Sequence, residues 1–187
     1  MNADFTSHRF SRQHWLTLGE QRLSAEGPGA LSLERLTSAA GRTKGSFYHH
    51  FQGRDDFLSA LVEHWRETVV EAAARPYRDD PAAWSALLYA APFELNQPFE
   101  RALRRLAADE PIVRAGVERV DRERIDRLTF MVSQLRDDLA DPRAFATLIY
   151  AVIVGAQWLL KSPDDARATS LRQMFETVFA LSPQHAG

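Results

Sequence analysis

The chain has 187 residues, of which 45% are hydrophobic, and its formal net charge at pH 7 is -2. This length is enough for a small and a larger domain or for one medium domain, and the hydrophobic content is enough for a buried core. Because the chain contains no cysteine, disulfides, thiolate metal sites and cysteine catalysis are excluded. No cationic segment followed by an apolar run opens the chain, so we expect a cytoplasmic protein rather than a secreted one.

Residues 33–51 predict two short helices separated by a glycine. The first helix has an apolar face at i, i+3 and i+7, formed by Leu33, Leu36 and Ala40. Gly41 can adopt the positive φ that stops this helix, and Thr43 fits the amino-terminal cap of the next one. We expect Phe47 and Phe51 to pack in the core. The pattern indicates a helix-turn-helix, a motif whose second helix enters the major groove of DNA.

The segment from Gly41 to Arg54 resembles the recognition-helix signature of the tetracycline-repressor (TetR) family of bacterial regulators. The similarity covers roughly residues 9–66, and it includes Gly27 as the terminator of a first helix and Ser32 as the cap of the second. The core stripe of the first helix consists of Trp15, Leu18, Gly19 and Leu23. One position departs from the family pattern, because Arg42 stands where a small apolar residue is usual in the turn. Arg42 either reaches a DNA phosphate or base or lies in solvent.

The resemblance also implies which residues contact DNA. Lys44 and Tyr48 match positions that commonly bind the DNA backbone. The hydroxyl of Thr43 and the imidazole of His49 would add hydrogen bonds to phosphate. Gly45 and Ser46 would lie nearest the base edges, since Gly45 lets the backbone approach closely. The predicted DNA-binding set is Arg42, Thr43, Lys44, Gly45, Ser46, Tyr48 and His49.

The remainder of the chain predicts helices almost throughout. Apolar residues at helical spacing predict a long helix from Phe57 to Glu71, ended by Pro76. Further helices are predicted at 82–96, 99–108 and 111–139. The chain is therefore expected to be all-α, with an amino-terminal three-helix helix-turn-helix DNA-binding domain at 9–66 and a helical effector-binding and dimerisation domain at 67–187.

Residues 144–160 are apolar except for Thr147, Gln157 and the hydroxyl of Tyr150. A helix that is apolar on every side must be covered on every side. The run is shorter than the roughly 20 residues that a membrane span needs, and it follows Asp141-Pro142, so we expect no membrane insertion. One face is expected to pack on the domain's own core. The other face, together with the last helix, predicts a homodimer interface that includes Ala151, Gly155, Phe175, Val178 and Phe179.

A dimer gives the predicted motif its mechanism. Two recognition helices related by a two-fold axis read two half-sites, so we expect a palindromic operator of double-stranded DNA. The family resemblance implies a small-molecule effector, not identified by the sequence, that binds the carboxy-terminal domain and changes the separation of the recognition helices. An apolar, aromatic lining with few polar groups is typical of such a pocket. The candidates, each of which could instead be a core residue, are Trp84, Phe93, Phe130, Gln134, Tyr150, Gln157 and Trp158.

The sequence contains no pattern typical of a catalytic site. The spacing of Gly41, Lys44 and Gly45 differs from that of a phosphate-binding loop, no Glu-x-x-His pair indicates a di-iron bundle, and no serine lies in a nucleophile elbow. We therefore expect a ligand-responsive DNA-binding regulator, a repressor, that is not an enzyme and has no cofactor or metal. The alternative is a helical dimer that no longer binds DNA and acts through protein partners.

Overall fold

The computed structural model describes residues 10–71, 83–94, 98–160 and 166–179, with backbone alone at 69, 70 and 90–94. Regular secondary structure within these ranges is helical, without a strand, which confirms the predicted all-α fold class. The α-helices are α1 (Arg12–Glu26), α2 (Leu33–Ala40), α3 (Lys44–Tyr48), α4 (Arg54–Trp65), α5 (Trp84–Glu94), α6 (Pro98–Asp109), α7 (Pro111–Leu135), α8 (Pro142–Leu159) and α9 (Ala166–Phe179). A 3-10 turn at Pro28–Leu31 follows α1, and a π-helical segment at Arg66–Glu71 continues α4.

One predicted helix boundary is wrong, and a side-chain contact explains the difference. The helix predicted at 111–139 ends at Leu135. Directly after it, the Arg136 guanidinium binds Asp138 through Nε and Nη2 at 2.6 and 2.7 Å. Residues two apart do not face each other on an α-helix, so this bidentate contact belongs to a chain that has left the helical path. The predicted helix end at Pro76 lies outside the described residues.

The chain forms two compact units. The first consists of Met1–Val70 with Pro98–Glu118, and the second of Glu71–Gln97 with Arg119–Gly187. The predicted domains, residues 9–66 for DNA binding and residues 67–187 for effector binding and dimerisation, are defined by function and not by packing. They therefore stay a prediction.

In the first unit, α1 is held by the apolar stripe that the sequence predicts. Trp15, Leu18 and Leu23 are buried, and Gly27 ends the helix with a φ of 80°. Gly19 lies where α1 meets α4: a Cβ added there would come within 2.7 Å of the Phe57 ring. Glycine at position 19 therefore permits the close packing that positions these two helices.

In the second unit, α5, α7, α8 and α9 share one apolar core. The side chain of Asp141 caps α8 by accepting from the Ala144 N–H at 2.9 Å, and Pro142 occupies the first turn, as the sequence predicts. The rings of Phe175 and Phe179 lie in this core, with centroids 4.4 Å apart. Their predicted place on the dimer interface is wrong, because these residues form the inward side of α9, whereas Val178 is 63% exposed.

Candidate nucleic-acid interface and assembly surface

The turn between α2 and α3 is built by local chemistry that the sequence predicts. Gly41 adopts the left-handed conformation, with φ 59° and ψ 37°, and its N–H donates to Ser38 O at 3.1 Å. Thr43 then restarts the chain as a helix, since its Oγ1 accepts from the Ser46 N–H at 3.3 Å. The helix-turn-helix is therefore present at the predicted residues.

The predicted DNA-binding residues form one continuous surface along the turn and α3. All of them are exposed except Ser46, which is half-buried; the exposed members are Arg42, Thr43, Lys44, Gly45, Tyr48 and His49. Tyr48 keeps 55% of its surface accessible, and its ring packs edge-on against that of Phe47 with the centroids 5.8 Å apart. The structure thus leaves a polar, cationic and partly aromatic face of α3 accessible to a ligand.

The opposite side of α3 is fixed by aromatic packing. Phe47 is buried, and its ring centroid lies 5.4 Å from that of Trp15, 5.0 Å from Phe51 and 5.4 Å from Phe57. These contacts join α3 to α1 and α4. The predicted core positions of Phe47 and Phe51 are confirmed, and the orientation of the exposed face of α3 follows from them.

Arg42 occupies the turn position that departs from the family pattern. Its guanidinium lies over the ring of Phe10, with Cζ 5.6 Å from the ring centroid. The side chain is exposed, so a cation replaces an apolar residue here without being buried. A guanidinium in this position keeps an aromatic contact while remaining at the surface.

Two groups of polar contacts in the first unit, one around Arg54 and one around His64, were not predicted from the sequence. Arg54 Nη2 donates to Glu110 Oε1 at 2.7 Å; this contact holds the pKa of Glu110 below its usual range and raises the pKa of Arg54. His64, which is buried, joins α4 to α1 through Gln13 and Glu20. With the Gln13 amide nitrogen donating to Nδ1 at 3.2 Å, Nε2–H donates to Glu20 at 2.9 Å. The partners are 44 to 56 residues apart, and no local pattern signals such pairs.

Comparison with known proteins identifies the first unit. The family model for bacterial regulatory proteins of the tetR family matches residues 16–61. The transcriptional repressor NemR of Escherichia coli K12 is 34% identical over 76 residues, which cover 37% of this chain and 38% of NemR. The likeness to the tetR family is thus carried by the helix-turn-helix region at residues 16–61. The match spans well under half the length of that relative, so it describes the helix-turn-helix region and not the remainder.

Solved structures extend the likeness to nearly the whole length of the chain, at the level of the fold. Reduced E. coli NemR has a TM-score of 0.77 and 21% identity, covering 94% of this chain and 99% of that chain. AibR in complex with isovaleryl coenzyme A and operator DNA has a TM-score of 0.64 and 19% identity, covering 89% and 97%. NalD, the secondary repressor of the MexAB-OprM efflux pump in Pseudomonas aeruginosa, has a TM-score of 0.59 and 24% identity, covering 94% and 97%.

The predicted effector-pocket residues lie in different environments. Trp84, Tyr150 and Gln157 are buried. Phe130, Gln134 and Trp158 are exposed, and the side chain of Phe93 lies outside the described residues. Trp84 and Phe130 make an edge-on ring contact at 5.6 Å. The Tyr150 hydroxyl donates to Asp121 at 2.6 Å and accepts from Arg124 at 3.2 Å, so it anchors α8 to α7.

The second unit carries a large exposed hydrophobic surface on α8 and α9, which we call the apolar face. Its exposed residues are Leu148, Ala151, Trp158 and Leu159 on α8 and Leu171, Met174 and Val178 on α9, and half-buried Gly155 lies among those of α8. Around α8 these residues lie opposite the buried stripe that contains Ile149 and Ile153. By length and composition alone α8 could cross a membrane, and 33% of its residues are buried in the structure; one such helix among the described residues is weak evidence for a span. Large exposed hydrophobic patches usually mark a site of association.

Proposed function

We propose that the protein is a transcriptional repressor that binds a palindromic DNA operator as a homodimer and is released by a small-molecule effector. The observation that carries this proposal is the exposed face of α3, which presents Lys44, Tyr48 and the adjacent turn while buried Phe47 fixes the helix. A recognition helix needs this combination, because its side chains must reach the groove in one defined orientation. Action on DNA also implies the cytoplasm as the site of action.

The apolar face supports the homodimer. Its two helices follow each other in the chain, and a two-fold axis would place the same residues of both copies against each other. A second copy would cover side chains such as Met174 and Val178, each more than 60% exposed in the single chain. The dimer would then present two recognition helices to two half-sites.

The effector is the less defined part of the proposal. AibR, which shares this fold, was crystallised with an acyl coenzyme A and operator DNA, so the fold accommodates both kinds of ligand in that protein. In the present chain, the buried aromatic and polar groups Trp84, Tyr150 and Gln157 supply the types of side chain that orient a small molecule. A ligand acts on operator binding only to the extent that it prefers one dimer geometry.

Fluorescence anisotropy with labelled DNA from the region upstream of the coding sequence tests the operator. We expect saturable binding that weakens steeply with salt and survives an excess of unrelated duplex. Sedimentation of the protein alone should give a dimer, and the footprint should be two-fold symmetric. A folded dimer that binds this DNA no better than unrelated duplex at any salt concentration would refute the proposal.

A further inference from the structure

Arg12, the first residue of α1, has an aromatic support within the core of the first unit. Its guanidinium carbon lies 5.1 Å from the centroid of the Phe51 ring, while the side chain itself is exposed. Phe51 is buried, and its ring packs against Phe47 at 5.0 Å and Phe57 at 5.1 Å. The ring beneath Arg12 therefore belongs to the same cluster that orients α3.

A second set of contacts holds the beginning of α1 against the end of the helix-turn-helix. His50 Nε2 lies 2.9 Å from the carbonyl oxygen of Phe10. The Phe10 ring packs edge-on against Trp15 at 4.8 Å and lies under the guanidinium of Arg42. Arg12 is thus placed beside the residues that directly follow α3, at the α1 side of the exposed DNA-binding surface.

Cations near the motif differ in what lies next to them. Arg54 is engaged by Glu110 at 2.7 Å, and Arg22, on the same helix as Arg12, forms an ion pair with Glu26. Arg12 forms no ion pair within the described part of the chain. Within the described residues, no carboxylate forms an ion pair with this charge, which is the state that favours an anionic ligand.

The aromatic contact suits a guanidinium to this task. A guanidinium stacked on a ring keeps its N–H donors in its own plane, where they remain directed outward and can bind two phosphate oxygens. The stacking also limits the number of side-chain conformations, so less entropy is lost when the phosphate binds. An ammonium group in the same place would keep the charge but lose the planar donor pair.

We infer that Arg12 contacts a DNA phosphate from outside the recognition helix and that Phe51 holds its guanidinium in position for this contact. The inference rests on the proposed operator binding. It adds a contact from α1 to the backbone contacts expected of Lys44 and Tyr48. It also assigns different roles to two arginines that the sequence places near the motif, since Arg54 is engaged by Glu110.

The test compares salt dependence of DNA binding in matched variants. Operator affinity is measured by fluorescence anisotropy from low to moderate salt for the wild type, Arg12→Gln, Arg12→Lys and Arg22→Gln. Because the proposed homodimer carries two copies of each side chain, losing one phosphate contact per chain should reduce the slope of log K against log salt by about 1.8, which corresponds to a loss of roughly 60-fold at 0.1 M salt. We expect this for Arg12→Gln on operator and unrelated duplex alike, a smaller loss for Arg12→Lys, and the wild-type slope for Arg22→Gln.

Three results would overturn the inference. One is a wild-type slope for Arg12→Gln, whose melting temperature and helix content are measured to show that it is folded. Another is an equal loss for Arg22→Gln, which would indicate a general effect of net charge. A third concerns the case in which Arg12→Gln is unstable and its DNA affinity falls in step with its melting temperature. In that case, a wild-type salt slope for Arg12→Lys would show that stacking and planarity of the guanidinium are irrelevant. If the wild-type protein binds no DNA, the proposed function itself is refuted, and this outcome is distinct from the three results above.

Discussion

Gly155→Glu tests the proposed dimer with little disturbance of the single chain. Gly155 lies on the apolar face, and a Cβ built there meets no atom of the chain within 4 Å. A carboxylate at this position would remain in water in a monomer but would be buried on both sides of a two-fold interface. Breaking the interface avoids that desolvation, so we expect dissociation to be favoured by about 2–4 kcal/mol, or roughly 30- to 900-fold in dimer Kd.

The assay is sedimentation over a concentration series, combined with circular dichroism and operator titration on the same preparation. Arg122→Glu is the control, because it also adds negative charge to the second unit but at an exposed position on α7. Gly155→Ala is a second control: alanine favours a helix by up to about 1 kcal/mol over glycine, so helix content should not fall. A helical Gly155→Glu variant that stays dimeric at the wild-type Kd would exclude this face as the interface.

Three further substitutions test other parts of the molecule. Lys44→Ala should weaken binding to all duplexes about equally and reduce the salt slope of the dimer by about two units, one for each recognition helix, and a loss restricted to the operator would argue for base contact instead. Glu110→Gln should lower the free energy of unfolding by at most about 1 kcal/mol at pH 7, since exposed ion pairs contribute little. Because Arg54 lowers the pKa of Glu110, this stabilisation exists above the unfolded value near 4.5 and is lost as the pH falls below it. Urea unfolding should therefore separate the two proteins more at pH 7 than at about pH 3. Trp158→Ala, at a side chain 47% exposed on the apolar face, should weaken the dimer with little loss of chain stability, whereas loss of effector release from an intact dimer would place Trp158 at the effector site.

Local chemistry made part of the fold predictable. Gly41, Thr43 and Asp141 act within three or four residues of themselves, by positive φ or by a side-chain cap, so their sequence neighbours suffice to predict the turn and both helix starts. The core stripe of α1 was predictable for a related reason, because apolar residues at helical spacing leave one buried side. The residues that the family resemblance assigns to DNA are exposed in the structure, and their contacts with DNA stay predictions.

Patterns that depend on distant partners were not predictable. On α9, Phe175 and Val178 are both hydrophobic, and hydrophobicity alone does not say which side faces the unit's own core. The structure places the two rings inward and leaves Val178 outside. Arg54 ends the segment that resembles the family signature, and its partner Glu110 lies 56 residues further on, so the sequence around Arg54 does not predict this contact.

The size of α3 explains why its function depends on the rest of the first unit. A helix of five residues is far below the roughly 12 residues at which an isolated helix becomes even marginally stable, so α3 owes its structure to its packing. One buried side chain, Phe47, provides that packing, and the rings around it come from α1, α4 and the end of the motif. Arg12 and Arg42 lie on rings that border the same cluster. The core that keeps α3 folded therefore also positions the exposed positive charges around it, those of Lys44, Arg12 and Arg42.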